Sequence, residues 1–225
     1  MIILAIDTCE TYCSAALIKD GRYLADYSEN IGRGHAETLL PTIEKLLRQA
    51  CLTWHDIEKI AVITGPGTFT GLRIGLSTAR GLAISLKTPC VGVSALECLA
   101  NQSMNNDAIH ACIKGRGNTS YHQKFHRSSK TGKLEACSTA ASLTHDDILN
   151  ILTEGCNGHI IGSGAEIFNT SSLSNHNTFT SVPCNMLTLG AIALTLDPIL
   201  NPADPHYLRA PDAAKAKPIF PFANQ

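Results

Sequence analysis

Residues 64–86 read TGPGTFTGLRIGLSTARGLAISL, a strand that breaks into a glycine turn and then becomes a helix. The strand is Lys59–Thr64 (KIAVIT), a short β-branched run of the kind buried in a sheet. Gly65, Pro66 and Gly67 stop it, because Pro66 has no amide for a ladder and glycine reaches backbone angles closed to other residues. Thr68 or Thr70 is typed to cap the following helix. Inside that helix Gly71, Gly75, Ala79 and Ala83 recur every fourth residue, a row without bulk. Each glycine costs about 1 kcal/mol of helix stability relative to alanine, so close packing has to compensate. Two readings stay open: a helix packed tightly on its own sheet, or a flank built to receive a partner's helix. Arg73 and Arg80 project from nearly one side of the helix. Arg73 falls in the first turn, where the helix dipole disfavours a cation unless a carboxylate or anion lies close.

Upstream, Ile2–Asp7 and Cys13–Lys19 read as strands, Asp20-Gly21 as a hairpin turn and Arg22–Glu29 as a third strand. A helix follows with apolar residues at Ala36, Leu39, Leu40, Ile43, Leu46, Leu47 and Ala50. Pro41 lies within that pattern, which predicts either a start near Glu37 or a kink. His35 at its head reads as a cap or surface residue. Cys90–Ser94 is a further strand and Ala95–Met104 a helix, and the polar run Asn101–Asp107 is the best lobe boundary. Three antiparallel strands followed by helix, strand and helix is the order of an actin-like (ribonuclease H-like) lobe. Asp7 then ends the first strand where such lobes keep a carboxylate for phosphate-bound metal. The alternative is an aspartate that caps its own turn.

The second half repeats this plan weakly. Ile109–Ile113, Tyr121–His126, Lys133–Ser138 and His159–Gly162 read as strands. Thr144 heads a helix through Leu152 with Asp147 placed for a capping box, and Met186–Leu196 is an apolar helix that stops before Pro198. The expected architecture is α/β, two actin-like lobes of βββαβαβα order with the second degenerate. The expected division is residues 1–104, 105–200 and an extended tail 201–225.

Hydrophobic residues make up 44% and charged residues 16% of the 225-residue chain, which describes a globular protein with real cores. No apolar stretch is long enough to span a bilayer. With no leader before MIILAID and no CxxC pair among nine cysteines, the expectation is a cytoplasmic protein with reduced thiols. A net charge of −1 argues against holding a nucleic acid unaided through phosphate contacts. One local exception is the basic run Lys114, Arg116, Lys124, Arg127, Lys130 and Lys133, which no acid interrupts.

The string GPGTFTGLRIG, with the opening IDT strand, resembles the TsaB (YeaZ) family of bacterial threonylcarbamoyl-adenosine biosynthesis. Tyr207-Leu208-Arg209 matches a further family signature near the C-terminus. The resemblance implies a non-catalytic scaffold that activates TsaD, the transferase acting on N6 of adenosine 37 in tRNA. Implied partners are a TsaD-like protein, a TsaE-like ATPase and, without them, a second copy of the chain; tRNA is reached only through the complex. The implied partner surface comprises His35, Leu39, Ile43, Gly71, Arg73, Gly75, Ala79 and Arg80. Asp7, Thr8, Lys114 and Arg116 line the implied vestigial nucleotide cleft. Where the family shows aspartate–alanine–arginine and then a glutamate, this chain has Lys114, Gly115, Arg116 and Thr119. A charged lysine cannot ligate magnesium, so it pairs with Asp7 or meets an anion.

The competing reading is an enzyme in its own right, an actin-like ATPase or a metallopeptidase. Its weakest point is the metal: His122 and His126 are the sole HxxxH, on a stretch that reads as a strand. Four strand residues span about 13 Å, too far for one ion. No G-x-S-x-G elbow occurs, and no cysteine has a readable base beside it. Gly162–Ala165 (GSGA) reads as a plain turn. No catalytic residue, cofactor or metal is therefore assigned.

Overall fold

The computed structural model describes residues 1–104, 108–154, 158–169, 173 and 177–208. Five strands form the first sheet: β1 (Ile2–Asp7), β2 (Tyr12–Lys19), β3 (Arg22–Asn30), β4 (Lys59–Ile63) and β5 (Cys90–Val93). Their order is β3-β2-β1-β4-β5, antiparallel across the first three and parallel across the rest. Asp20 and Gly21 join β2 to β3 with φ of 51° and 73°, the paired positive angles that match a hairpin's twist.

Helices α1 (His35–Gln49) and α2 (Phe69–Leu86) cover one face of this sheet. Leu39, Ile43, Leu46 and Leu47 of α1 and Leu76 and Ala79 of α2 meet Leu4, Ile6, Ala15, Leu17, Ile60 and Val62. Helix α1 starts at His35 and runs through Pro41, whose exposed position leaves the unpaired carbonyl one turn earlier on the solvent side. Ala36 and Leu40, expected on the buried stripe, are exposed.

The second sheet contains β6 (Ala108–Lys114), β7 (Thr119–Arg127), β8 (Leu134–Ala136), β9 (Ala141–Thr144), β10 (Gly158–Ile161) and β11 (Asn177–Thr180). Its order, β11-β10-β6-β7-β8 with β9 also on β7, repeats that of the first sheet. The duplication expected from element order is thus present in the topology. Helix α4 (His145–Glu154) opens on a reciprocal cap, with Asp147 N donating to Thr144 Oγ1 at 3.2 Å and Thr144 N to Asp147 Oδ2 at 3.3 Å. Together with α5 (Ala165–Phe168), it covers the outer face through Ile148, Leu152, Ala165 and Phe168.

Between the sheets lie α3 (Ala95–Gln102) and α6 (Met186–Thr195). The alternate face of β1 and β2 (Ile3, Ala5, Ala16, Ile18) shares one core with Leu96 and Leu99 of α3, Leu189 and Ala193 of α6, and Ile109, Ala111 and Ile113 of β6. Gly190 lets α6 approach β2 closely: a Cβ there would lie 2.7 Å from Ile18 Cδ1, the tip of a side chain that would have to turn aside. Buried Lys59 of β4 donates from Nζ to Ala193 O at 2.6 Å and Leu196 O at 2.8 Å, satisfying carbonyls at the end of α6.

The expected lobe division therefore needs correcting. Helix α6, assigned to a lobe ending at residue 200, packs on β1, β2, β4 and β5 of the first sheet. The stretch expected to be an extended tail is docked as far as it is described: Gly92 N donates to Asn201 O at 3.0 Å and His206 N to Thr64 O at 2.8 Å. Arg209 and the residues after it lie outside the described residues, as does the 105–107 end of the expected boundary.

Candidate functional site

The small row of α2 is filled by the chain's own first turn. A Cβ on Gly71 would lie 2.1 Å from Thr8 O, and one on Gly75 would lie 2.6 Å from Thr8 Oγ1. Ala79 is fully buried. The glycine turn serves the same contact: a Cβ on Gly67 would sit 2.3 Å from Cys9 O, to which Thr68 N donates at 2.7 Å. Thr68 caps the helix by accepting from Gly71 N at 3.2 Å. Gly71, Gly75 and Ala79 thus face inward, which corrects their placement on a partner surface. His35, Leu39 and Ile43 need the same correction. Leu39 and Ile43 are core residues, and buried His35 meets Tyr12 O through Nε2 at 3.2 Å.

Arg73 and Arg80 are exposed, and both meet the docked 201–208 segment. Arg80 pairs with Asp204. The Arg73 guanidinium lies 3.8 Å from the Phe69 ring centroid, and its Nε donates to Tyr207 Oη at 3.3 Å. Tyr207 and Phe69 are themselves in contact, with ring centroids 5.2 Å apart. Beside them a groove of about 490 Å³ opens between α1 and α2, lined by Ala36, Phe69, Thr70, Arg73, Ile74, Ser77 and Thr78.

Asp7 and Thr8 are buried with partners of their own, while Lys114 and Arg116 are exposed. Asp7 is buried and its Oδ1 accepts from Cys9 N at 2.8 Å, so it closes its own turn. Burial raises its pKa above the usual carboxylate value, against the opposing pull of the Cys9 bonds. Thr8 Oγ1 donates to Gly71 O at 2.7 Å. Lys114 is exposed and is not paired with Asp7, the first of the two alternatives for it. Arg116 is exposed on a tight turn, where Gly115 N donates to Thr119 O at 3.0 Å.

The junction of the lobes is instead made by Glu10, which sequence reasoning missed. Ser163 Oγ donates to Glu10 Oε1 and accepts from Lys114 N at 3.0 Å. Three segments meet at this point: the β1–β2 turn, the end of β6 and the GSGA turn, in which Gly162 has φ of 113°. Burial, then the charge of nearby Asp7, lifts the Glu10 pKa to about 7, against the lowering effect of the Ser163 bond. An acid three residues beyond a strand end, opposite a serine of a distant glycine turn, leaves no local signature.

His122 and His126 do not meet, as the strand reading requires. His122 is buried, and its Nε2 lies 2.9 Å from His110 Nδ1 in a stacked pair. Burial holds His110 down to about 3 and His122 down to about 4, so both are neutral at pH 7. His126 is exposed beside Cys137, a base next to a thiol that the sequence did not reveal. Among the described residues, no three His, Cys, Asp or Glu side chains converge as metal ligands, and no helix is long and apolar enough to cross a membrane.

The family described as "TsaD: tRNA N6-adenosine threonylcarbamoyltransferase" matches residues 27–175. The chain is similar to the tRNA threonylcarbamoyladenosine biosynthesis protein TsaB of Bacillus subtilis (strain 168), 33% identical over 158 residues, 68% of this chain and 67% of the relative. It is similar also to TsaB of Buchnera aphidicola subsp. Schizaphis graminum, 42% identical over 102 residues, 45% of this chain and 48% of the relative. The match therefore spans about half to two thirds of these curated relatives. Among solved structures, YeaZ from Pseudomonas aeruginosa superposes with a TM-score of 0.73 at 26% identity, over 92% of this chain and 99% of that one. Motif, duplicated sheet order and relatives agree, and the chain belongs to the TsaB (YeaZ) family.

Proposed function

We propose that the chain acts in tRNA threonylcarbamoyladenosine biosynthesis as a non-catalytic scaffold for a TsaD-like transferase. The names carried by its relatives support the pathway. The observation that supports a scaffold over an enzyme is the occupied junction, where Glu10 and Ser163 bond to each other and Asp7 is spent on its own turn. An anionic triphosphate and its metal need open, aligned carboxylates and donors at such a junction. Here a half-buried acid stands against Ser163 instead.

The partner face of this proposal is the α1–α2 groove, with Ala36 and Ile74 as its apolar floor and Ser77 and Thr78 as its small rim. Leu40, 48% exposed, continues it one turn along α1. A TsaD-like protein occupies this face in the complex and a second copy of the chain occupies it alone. A TsaE-like ATPase joins the assembly, tRNA enters only with it, and the work takes place in the cytoplasm.

Ser77→Arg puts a long cation on the groove rim without touching the core. The expected result is loss of TsaD-like protein from a pull-down and a shift from dimer to monomer in light scattering, with the melting temperature retained. Wild-type association of this variant refutes the partner face. Partner-free turnover of Mg-ATP by the purified chain refutes the scaffold.

A further inference from the structure

The hairpin of β7 and β8 carries three polar side chains on one exposed face. His126 and Glu135 are directly opposed in the antiparallel register, and Cys137 follows Glu135 by two residues, which returns its side chain to the same face. Cys137 N donates to Lys124 O at 2.8 Å, so the pairing continues one step beyond β8. The contacts follow the register: Cys137 Sγ lies 3.3 Å from His126 Nδ1, and Glu135 Oε2 lies 3.6 Å from His126 Nε2.

The imidazole therefore uses its two nitrogens on two different neighbours. One edge faces a thiol and the other a carboxylate. Opposite ring edges cannot share one metal ion with all three groups, which makes the arrangement a base–thiol pair rather than a metal centre. Cys137, His126 and Glu135 are all exposed, so a small reagent reaches the sulfur. Lys124, two positions from His126 on β7, and Lys133, two positions before Glu135, add positive charge to the same face.

We propose that Cys137, His126 and Glu135 form an activated-thiol site that exchanges with low-molecular-weight disulfides. The Cys137 thiol passes its proton to His126 Nδ1, and the sulfur attacks one sulfur of the disulfide. A new S–S bond joins Cys137 to that half, the old S–S bond breaks, and the other half leaves as a thiolate that takes a proton from His126. The product is a capped, reversible Cys137 on the second lobe, away from the α1–α2 groove.

The same chain supplies a control. Cys51 is the other cysteine exposed among the described residues, and no histidine bonds to it. The full-length protein is incubated with oxidised glutathione, and peptide mapping by mass spectrometry follows the mixed disulfide at both cysteines. A histidine that takes the proton as the sulfur attacks spares the thiol a prior ionisation, so its rate falls less steeply toward low pH than that of an ordinary thiol, and weaker intrinsic nucleophilicity offsets part of the gain. The expected rate advantage of Cys137 is about threefold at pH 7 and about tenfold at pH 6. His126→Gln is expected to bring Cys137 to the rate and the pH slope of Cys51, and Glu135→Gln to an intermediate rate. Equal rates and equal pH slopes for the two cysteines in the unaltered protein overturn the proposal, whatever the variants do to the hairpin.

Discussion

Two alanine substitutions in one helix, Gly71→Ala and Gly81→Ala, are expected to change stability in opposite directions. Gly81 is exposed, and a Cβ there meets nothing within 4 Å. Its replacement gains only helix propensity and reduced unfolded-chain freedom, about 0.5–1 kcal/mol. At Gly71 the same methyl group collides with Thr8 O at 2.1 Å and with Thr68 Oγ1 at 2.6 Å. Relief means lifting α2 from the β1–β2 turn, at about 1–3 kcal/mol for overpacking. The lift also strains the Thr68 cap and the 2.7 Å bond from Thr8 Oγ1 to Gly71 O. These two losses are worth about 1 kcal/mol each. Subtracting the propensity gain leaves a net loss of about 2–4 kcal/mol. In a chain of this size that lowers the melting temperature by about 4–16 °C, while Gly81→Ala raises it by about 1–4 °C. Urea titration of both purified variants beside the wild type gives the free energies. A Gly71→Ala protein as stable as Gly81→Ala refutes the reading that the row is filled from within. The bulkier Gly75→Leu suits no association assay, because its side chain meets Thr8 before it can meet a partner.

Glu10→Gln is expected to flatten stability against pH. With a folded pKa near 7, above the ordinary glutamate value of 4.5, the folded chain binds more protons than the unfolded one between those values. Glu10 therefore makes stability fall as pH rises from 4.5 to 7, and the glutamine, which keeps a partner for Ser163, removes that slope; urea midpoints at pH 5 and pH 8 measure it. The buried His110–His122 pair acts in the opposite direction. Both pKa values are depressed from 6.5, so their contribution is full above pH 6.5 and is lost as pH falls through about 4. His122→Gln is expected to cost about 1 kcal/mol at pH 7 and to weaken the acid-side loss, and an unchanged acid limb in urea titrations counts against it.

Local chemistry made much of the fold legible. Asp20-Gly21, the Thr144–Asp147 cap and the apolar runs of β1 and β2 each depend on neighbours in sequence, and each element stands where they put it. The glycine row was legible as a demand for close approach but not as to what approaches, because Thr8 and Cys9 lie some sixty residues away. The same distance hid the junction, since Glu10 and Ser163 are joined only by the packing of two lobes. His126 and Cys137 needed the register of the β7–β8 hairpin, which the Thr131-Gly132 turn does not fix. Helix α6 was read correctly as a helix and assigned to the wrong lobe, because its apolarity on all sides names no preferred neighbour.

That placement of α6 sets an order of events during synthesis. The face of the first sheet holding Ile3, Ala5, Ala16 and Ile18 is clothed in part by Met186, Leu189 and Ala193. A ribosome that has released the opening hundred residues thus presents a bare apolar plane, and an intervening module must emerge before the covering piece arrives. At ordinary elongation speed that wait is roughly 4–16 s, long enough for holdase chaperones to engage the nascent chain. The closing segment works as a latch on a body begun much earlier, and a prematurely terminated chain exposes a surface prone to aggregation.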